Sequence, residues 1–273
     1  MKYFVQMLLV FCTSCSMNHM IQQEREQILS TLPDTKPQPV TEESIQSLPE
    51  PVKKWLRRSG VVGRPEIRYG WILQSAAMKM KPNQETWYHA QAEQLFTTTP
   101  PAFHWTVKMK MNPLIAIKGR DLFVEGKGEM RIRMNSLINV VNESGEKIDE
   151  GTLQRYLGEI VWYPTAVLSP YITWEPIDNF SAKATMRYKG TEGSGIFYFN
   201  EKGDFIRFSA MRYKENTPDA KRFEWIISVR KHAILDGLKI PVEMEATWKL
   251  DKGDWTWLKL TIDEIIYDHD KRE

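Results

Sequence analysis

From Glu66 onward, hydrophobic and polar residues alternate along the chain. Phe103, Trp105, Val107, Met109 and Met111 are interleaved with His104, Thr106, Lys108 and Lys110. Met130, Ile132 and Met134 alternate with Glu129, Arg131 and Arg133. Val242, Met244, Ala246, Trp248 and Leu250 alternate with Glu243, Glu245, Thr247 and Lys249, and Phe223, Trp225, Ile227 and Val229 line one face of a further run. Period two puts successive side chains on opposite faces, so these runs predict strands with one apolar and one wet face. Strands of that kind belong to antiparallel sheets. Glu201-Lys202-Gly203-Asp204 and Asp251-Lys252-Gly253-Asp254 read as hairpin loops between such runs. Roughly ten strands result, more than an open sheet holds without curling. The predicted fold is therefore mainly β: a strongly curved antiparallel sheet or unclosed β-barrel, with a β-sandwich as its main competitor.

Two helical stretches break the alternation. In the first, Pro51 suits an opening turn, Val52, Trp55 and Leu56 share one face, and Gly60 closes the helix. Lys53, Lys54, Arg57 and Arg58 form its wet side. In the second, Asp149 reads as an N-cap, and Leu153, Tyr156, Leu157, Ile160 and Val161 make an apolar stripe that Pro164 ends. A curved sheet needs a cover for its concave face, and this central helix is the natural candidate.

The front of the chain differs. Residues 1–15, MKYFVQMLLVFCTSC, carry one early lysine, a short apolar run and small residues before Cys15. The run is too short to span a bilayer and matches a signal peptide. With Cys15 as the lipidated first mature residue, it resembles a bacterial lipoprotein signal, although Cys12 stands where such signals favour leucine. Localisation on a membrane surface of the bacterial envelope follows, with a cytoplasmic start as the alternative. Residues 21–30 suit a short, weakly amphipathic helix, but prolines accumulate from Pro33 onward, and 16–40 reads mainly as a tether. Residues 41–273 then form a single β-rich domain.

Composition narrows the function classes. A formal net charge of +2 gives no strong pull toward nucleic acid. The only cysteines are Cys12 and Cys15, so the main domain has neither a disulfide framework nor a cysteine-based zinc site. The five histidines show no metal-binding spacing, and no metal or cofactor is expected. There is no nucleophile elbow and no phosphate loop opening a helix. Gly193-Ser194-Gly195 reads as a flexible turn, and Gly126 and Gly128 as marking a bulge or bend.

One polar constellation remains. Arg155 and Glu159 are one helical turn apart, Trp162 lies a turn further along, and Arg212 continues the alternation Ile206, Phe208, Ala210 toward the apolar side of its strand. A charge there needs a partner, and Glu159 is the nearest candidate in this reading. Asp121 beside Arg120 is a further charged pair at the start of an apolar run. The cluster reads either as an ion pair locking the helix onto the sheet or as a site where Arg155 or Arg212 holds an anionic headgroup. A catalytic role for Glu159 ranks behind both, because an arginine neighbour favours permanent ionisation.

LPEPVKKWLRRSG (48–60), GRDLFVEGKGEM (119–130), RYLGEIVWYPTAVL (155–168), MRY (211–213) and IPVEMEATW (240–248) together resemble a bacterial domain-of-unknown-function family, number 6544, over about residues 45–267. That resemblance implies a domain boundary and no mechanism. The order helix, strands, central helix, strands on a lipoprotein-like leader is similar, in architecture only, to periplasmic lipoprotein carriers, which are half-barrels with a helical lid over an apolar cavity. The leading expectation is an envelope-anchored binding protein for a lipid or other hydrophobic molecule. Its rivals are a structural or partner-binding lipoprotein with a packed core and, behind that, an unrecognised hydrolase.

Overall fold

Thirteen strands form one antiparallel sheet in the computed structural model, which describes residues 17–135 and 138–269. The first six are β1 (Tyr69–Met78), β2 (Tyr88–Thr98), β3 (Pro101–Asn112), β4 (Ile115–Val124), β5 (Lys127–Met134) and β6 (Ile138–Glu143). The rest are β7 (Ile172–Asp178), β8 (Ser181–Tyr188), β9 (Thr191–Phe199), β10 (Phe205–Tyr213), β11 (Arg222–Leu235), β12 (Leu238–Leu250) and β13 (Gly253–Tyr267). The chain meanders from β1 out to the edge strand β6, crosses to the opposite edge at β7, and meanders back until β13 pairs with β1. Every neighbour is therefore a hairpin partner except across β1–β13. The roughly ten strands expected from the sequence fall short because the outer strands β6 and β7 are mostly exposed and carry little apolar alternation.

The single crossing from β6 to β7 is made by helix α3 (Glu146–Glu159) and two 3-10 turns, Ile160–Trp162 and Pro164–Leu168. It lies on the concave face, as expected of the central helix. Its start differs: Gly145 occupies the N-cap position, and Asp149 instead accepts a hydrogen bond from the Gly128 N–H at 2.8 Å and pairs with Lys127. Helix and sheet approach closely. A Cβ on Gly128 would lie 2.4 Å from Thr152 Oγ1, and one on Gly195 would lie 2.2 Å from the Phe208 ring. Gly193 and Gly195 thus belong to β9 and make room for neighbouring side chains, in place of the flexible turn read from the sequence. The curl brings the β4–β5 turn against the β8–β9 turn. There the Thr191 hydroxyl donates to the Gly126 carbonyl at 2.8 Å and the Tyr188 hydroxyl to Glu125 at 3.1 Å. Side chains, not a strand ladder, close the sheet at that point.

Helix α2 (Glu50–Ser59) plugs another part of the concave face. Val52, Trp55 and Leu56 are buried as predicted, Gly60 takes the left-handed conformation with φ 81°, and Trp55 packs on Phe197, Phe199 and Phe205.

The expected tether at 16–40 is largely a docked element. Residues 17–30 form helix α1, which lies on the outer face of β1–β5, where Ile28 packs against Trp71, Leu95 and Ala102. Consequently His104 and Thr106 are buried, although their side of β3 reads as wet in the sequence. Polar groups join the two surfaces. Arg25 donates to Glu93, to Thr106 Oγ1 and to His104 Nδ1, while His104 Nε2 meets Glu24 at 2.9 Å and Arg120 pairs with Glu24 and Glu129. Because His104 Nδ1 accepts from Arg25, the Nε2–H tautomer donates to Glu24. Burial pushes the His104 pKa below its ordinary value, with Arg25 and Arg120 adding to the effect and Glu24 opposing it.

Since the folded pKa lies below the unfolded one, the His104 contribution is intact above about pH 6.5 and is lost as pH falls through the window beneath it. Acidification from neutral pH is therefore expected to speed proteolytic cleavage within residues 17–30, and His104→Gln, which keeps a donor and an acceptor, is expected to flatten that dependence. A cleavage rate that stays constant across this window in the wild type would contradict the account.

Candidate functional site

Inward-facing positions of β1, β3–β5 and β10–β13 surround a cavity of about 340 Å³ bordered by α3. Its walls are mainly apolar: methionines 78, 109, 130 and 244, branched aliphatics, and the indoles of Trp105, Trp162, Trp225, Trp248, Trp255 and Trp257. The tryptophans are grouped by register, since Trp248 lies opposite Trp225 on one side and Trp255 on the other. Cross-strand partners on one face sit close enough to stack a continuous aromatic surface. Met78, Lys79 and the exposed Met80 carry the lining out to the β1–β2 connection, where the cavity meets solvent.

Most of the charge in the lining is on the α3 side. Arg155 donates to Glu159 at 2.7 Å, to Asp121 on β4 at 2.6 Å and to Gln94 on β2 at 3.3 Å. The Gln94 amide in turn donates to the second Glu159 oxygen at 2.7 Å. The guanidinium lies 4.7 Å from the Phe103 ring centroid and 4.8 Å from that of Trp105. This arrangement fastens the helix to three strands at once. Burial raises the Asp121 pKa, and Glu159 adds to this while Arg155 opposes it. Burial alone would lower the Arg155 pKa, but Glu159 and Asp121 outweigh it and hold the proton more firmly.

The four residues singled out in the sequence, Arg155, Glu159, Trp162 and Arg212, all line this one cavity. The Arg155–Glu159 pair is present. The expected Glu159–Arg212 pair is not: Glu159 is engaged by Arg155 and Gln94, and Arg212 makes no ion pair among the described residues. Arg212 instead stacks 4.1 Å from the Trp225 ring centroid and 5.9 Å from that of Trp248. Trp162 is almost completely buried and donates its indole N–H to the Pro241 carbonyl at 3.1 Å. Asp121 and Gln94 are parts of the site that the list of four leaves out. Their signal was present, since Asp121 shares strand parity with Phe123, and Gln94 with Ala92 and Phe96. A polar residue at an apolar parity marks a buried polar contact.

None of the five histidines lines the cavity, and the carboxylates of Asp121 and Glu159 share a single guanidinium. The arrangement offers apolar contact and fixed charge.

A family model covers residues 38–260, which includes every residue lining the cavity. The chain belongs to the family of unknown function DUF6544. No curated protein matches it. Among solved structures, a DUF1329 family protein from Desulfovibrio piger is similar with 9% identity and a TM-score of 0.46, covering 81% of this chain and 93% of the other. A LolA superfamily protein from Nitrosomonas europaea is similar with 10% identity and a TM-score of 0.40, covering 85% and 96%. Both likenesses concern the fold.

Removing one member of a buried ion network strands the others. Arg155→Met is expected to lower unfolding free energy in urea by about 3–5 kcal/mol, because Asp121 and Glu159 lose their shared counter-charge. Adding Asp121→Asn and Glu159→Gln to it is expected to recover much of the loss. A cost for Arg155→Met below about 1 kcal/mol, typical of exposed pairs, would show that the network does not fasten the helix.

Proposed function

We propose that this protein is an envelope-anchored binding protein that holds a lipid or another hydrophobic molecule between α3 and the sheet. The observation that carries this reading is the cavity itself. Protein interiors ordinarily pack to crystal-like density, yet about 340 Å³ stays open here behind walls of methionine and tryptophan. That volume falls within the range of small-molecule sites, roughly 300–1,000 Å³, which combine apolar walls with a few placed polar groups. A structural lipoprotein with a full core, the main rival, has no use for such a hollow.

The proposed anchor, Cys15, lies outside the described residues. Helix α1 supports its placement. Near its start, Asn18 accepts a hydrogen bond from Lys118, next to the cavity-lining Ile117. Ile117 pairs with Met109, which pairs with Ala90, close to the β1–β2 connection where the cavity opens. A lipid on Cys15 would hold this rim toward the bilayer. Among the described residues no helix is long and apolar enough to cross a membrane.

A neutral naphthylamine fluorophore, titrated against the chain from residue 16 onward, is expected to bind at one site with enhanced emission. Ala246 is 4% exposed and lines the hollow. Ala246→Trp and Ala246→Phe are expected to fill it and to weaken binding about tenfold or more, with the stronger effect from tryptophan. Undiminished binding in both folded variants would place the probe elsewhere and defeat the reading.

A further inference from the structure

Three carboxylates bear on Arg212, and each is already engaged by another arginine. Asp121 and Glu159 are both held by Arg155 at 2.6 and 2.7 Å, and Glu150 is held by Arg222 at 2.7 Å. Arg212 has no hydrogen bond or ion pair among the described residues. Its Nε is sealed from solvent without a partner, and the residue lines the cavity. The indole N–H groups of Trp225, Trp255 and Trp257, on the same lining, are also buried without acceptors. The unmet hydrogen-bonding capacity here is therefore all of one kind: donors, one of them carrying a full positive charge.

An isolated cation in a low-dielectric site is expensive unless something compensates it. Stacking on Trp225 and Trp248 supplies part of that compensation. It leaves the hydrogen-bonding capacity of the guanidinium untouched, since ring faces accept along one direction and the fork donates in its own plane. Burial, together with the nearby Arg155 charge, pushes the Arg212 pKa down to about 9, which still leaves it charged at neutral pH. Helix α3 leaves space for the group: a Cβ on Gly151 would sit 3.2 Å from Arg212 Nη2.

We propose that the natural ligand is a single-chain amphiphile whose anionic head, a carboxylate or a phosphate ester, pairs with Arg212 beneath α3 while its tail runs along the tryptophan and methionine walls. This rests on the hydrophobic-ligand reading and sharpens it by assigning the head and its direction. The four-residue charge cluster then divides by task. Arg155, Asp121 and Glu159 are satisfied among themselves and hold the helix. Arg212 is the member left over for a ligand. A head carrying two or three acceptor oxygens matches the donor surplus, whereas a hydroxyl or ester head brings no charge to meet the guanidinium.

The test compares dodecanoate, dodecyl phosphate and dodecanol, each below its aggregation threshold, by isothermal titration and tryptophan emission with the chain from residue 16 onward. Wild type is expected to bind at least one of the two anions about tenfold or more tightly than the alcohol, as a buried charge-assisted pair implies. The anion that gains more identifies the head. Arg212→Met and Arg212→Gln are expected to abolish that preference, and far-UV circular dichroism with the urea midpoint certifies their fold. Equal affinity of wild type for all three compounds would overturn the head assignment while leaving the hydrophobic cavity standing. A preference that survives in either folded variant would place the head away from Arg212 and overturn it too. Failure of all three to bind would defeat the underlying cavity reading.

Discussion

A thirteen-stranded sheet cannot be covered by one helix. At the usual strand spacing its width along the curl is on the order of 60 Å, whereas α3, at fourteen residues, is about 21 Å long and about 10 Å across. Twist curls the sheet and shortens the gap between its edges, but the concave face still exposes more apolar surface than α3 can bury. Helix α2 and the aromatic group around Trp55 fill one part, and the 3-10 turns around Tyr163, stacked 4.1 Å from Phe96, fill another. The remainder is the cavity. It exists because the crossing element is short and is fixed where it lies.

Arg155 supplies that fixation. One guanidinium reaches a carboxylate on its own helix, a carboxylate on β4 and an amide on β2, and it rests against Phe103 and Trp105 on β3. Sliding α3 deeper to close the cavity would break these bonds inside a poorly screened interior, where each lost partner is costly. The same network explains why Arg212 is distinct. With Asp121 and Glu159 committed to Arg155, the second guanidinium keeps its charge and its donors, which is the basis for proposing it as the ligand's partner. In the proposed reading, holding the helix and receiving a ligand are separate tasks on one cavity wall.

Much of the fold was legible in the sequence. Period-two alternation located the central strands and their inward residues, and helical spacing found α2 and α3 and the buried face of each. The parity of Arg212 with Phe208 and Ala210 pointed it inward, although Ile206, counted in the same alternation, is exposed at the irregularity between Phe205 and Arg207. What escaped has a common physical cause: polar pattern does not distinguish water from a polar partner. His104 and Thr106 look solvent-facing because they are polar, yet α1 covers them with Glu24 and Arg25. The contact face of α1 mixes Met17, Ile21 and Ile28 with those two charged residues, so neither surface advertises a hydrophobic match. Likewise Gly193 and Gly195 give the same letters whether they loosen a turn or admit a neighbouring side chain. The pairing of Glu159 depended on the competition between two arginines, which only their positions in space decide.

The claim at the centre of this account is that the hollow beneath α3 is a ligand site. Native mass spectrometry tests it most directly, on the chain from residue 16 onward purified from a bacterial host without detergent, with organic extraction of the same sample. The account predicts a one-to-one adduct that extraction releases as an amphiphilic molecule and that dodecanoate or dodecyl phosphate replaces. A bare mass that gains no adduct when these compounds are supplied would contradict it.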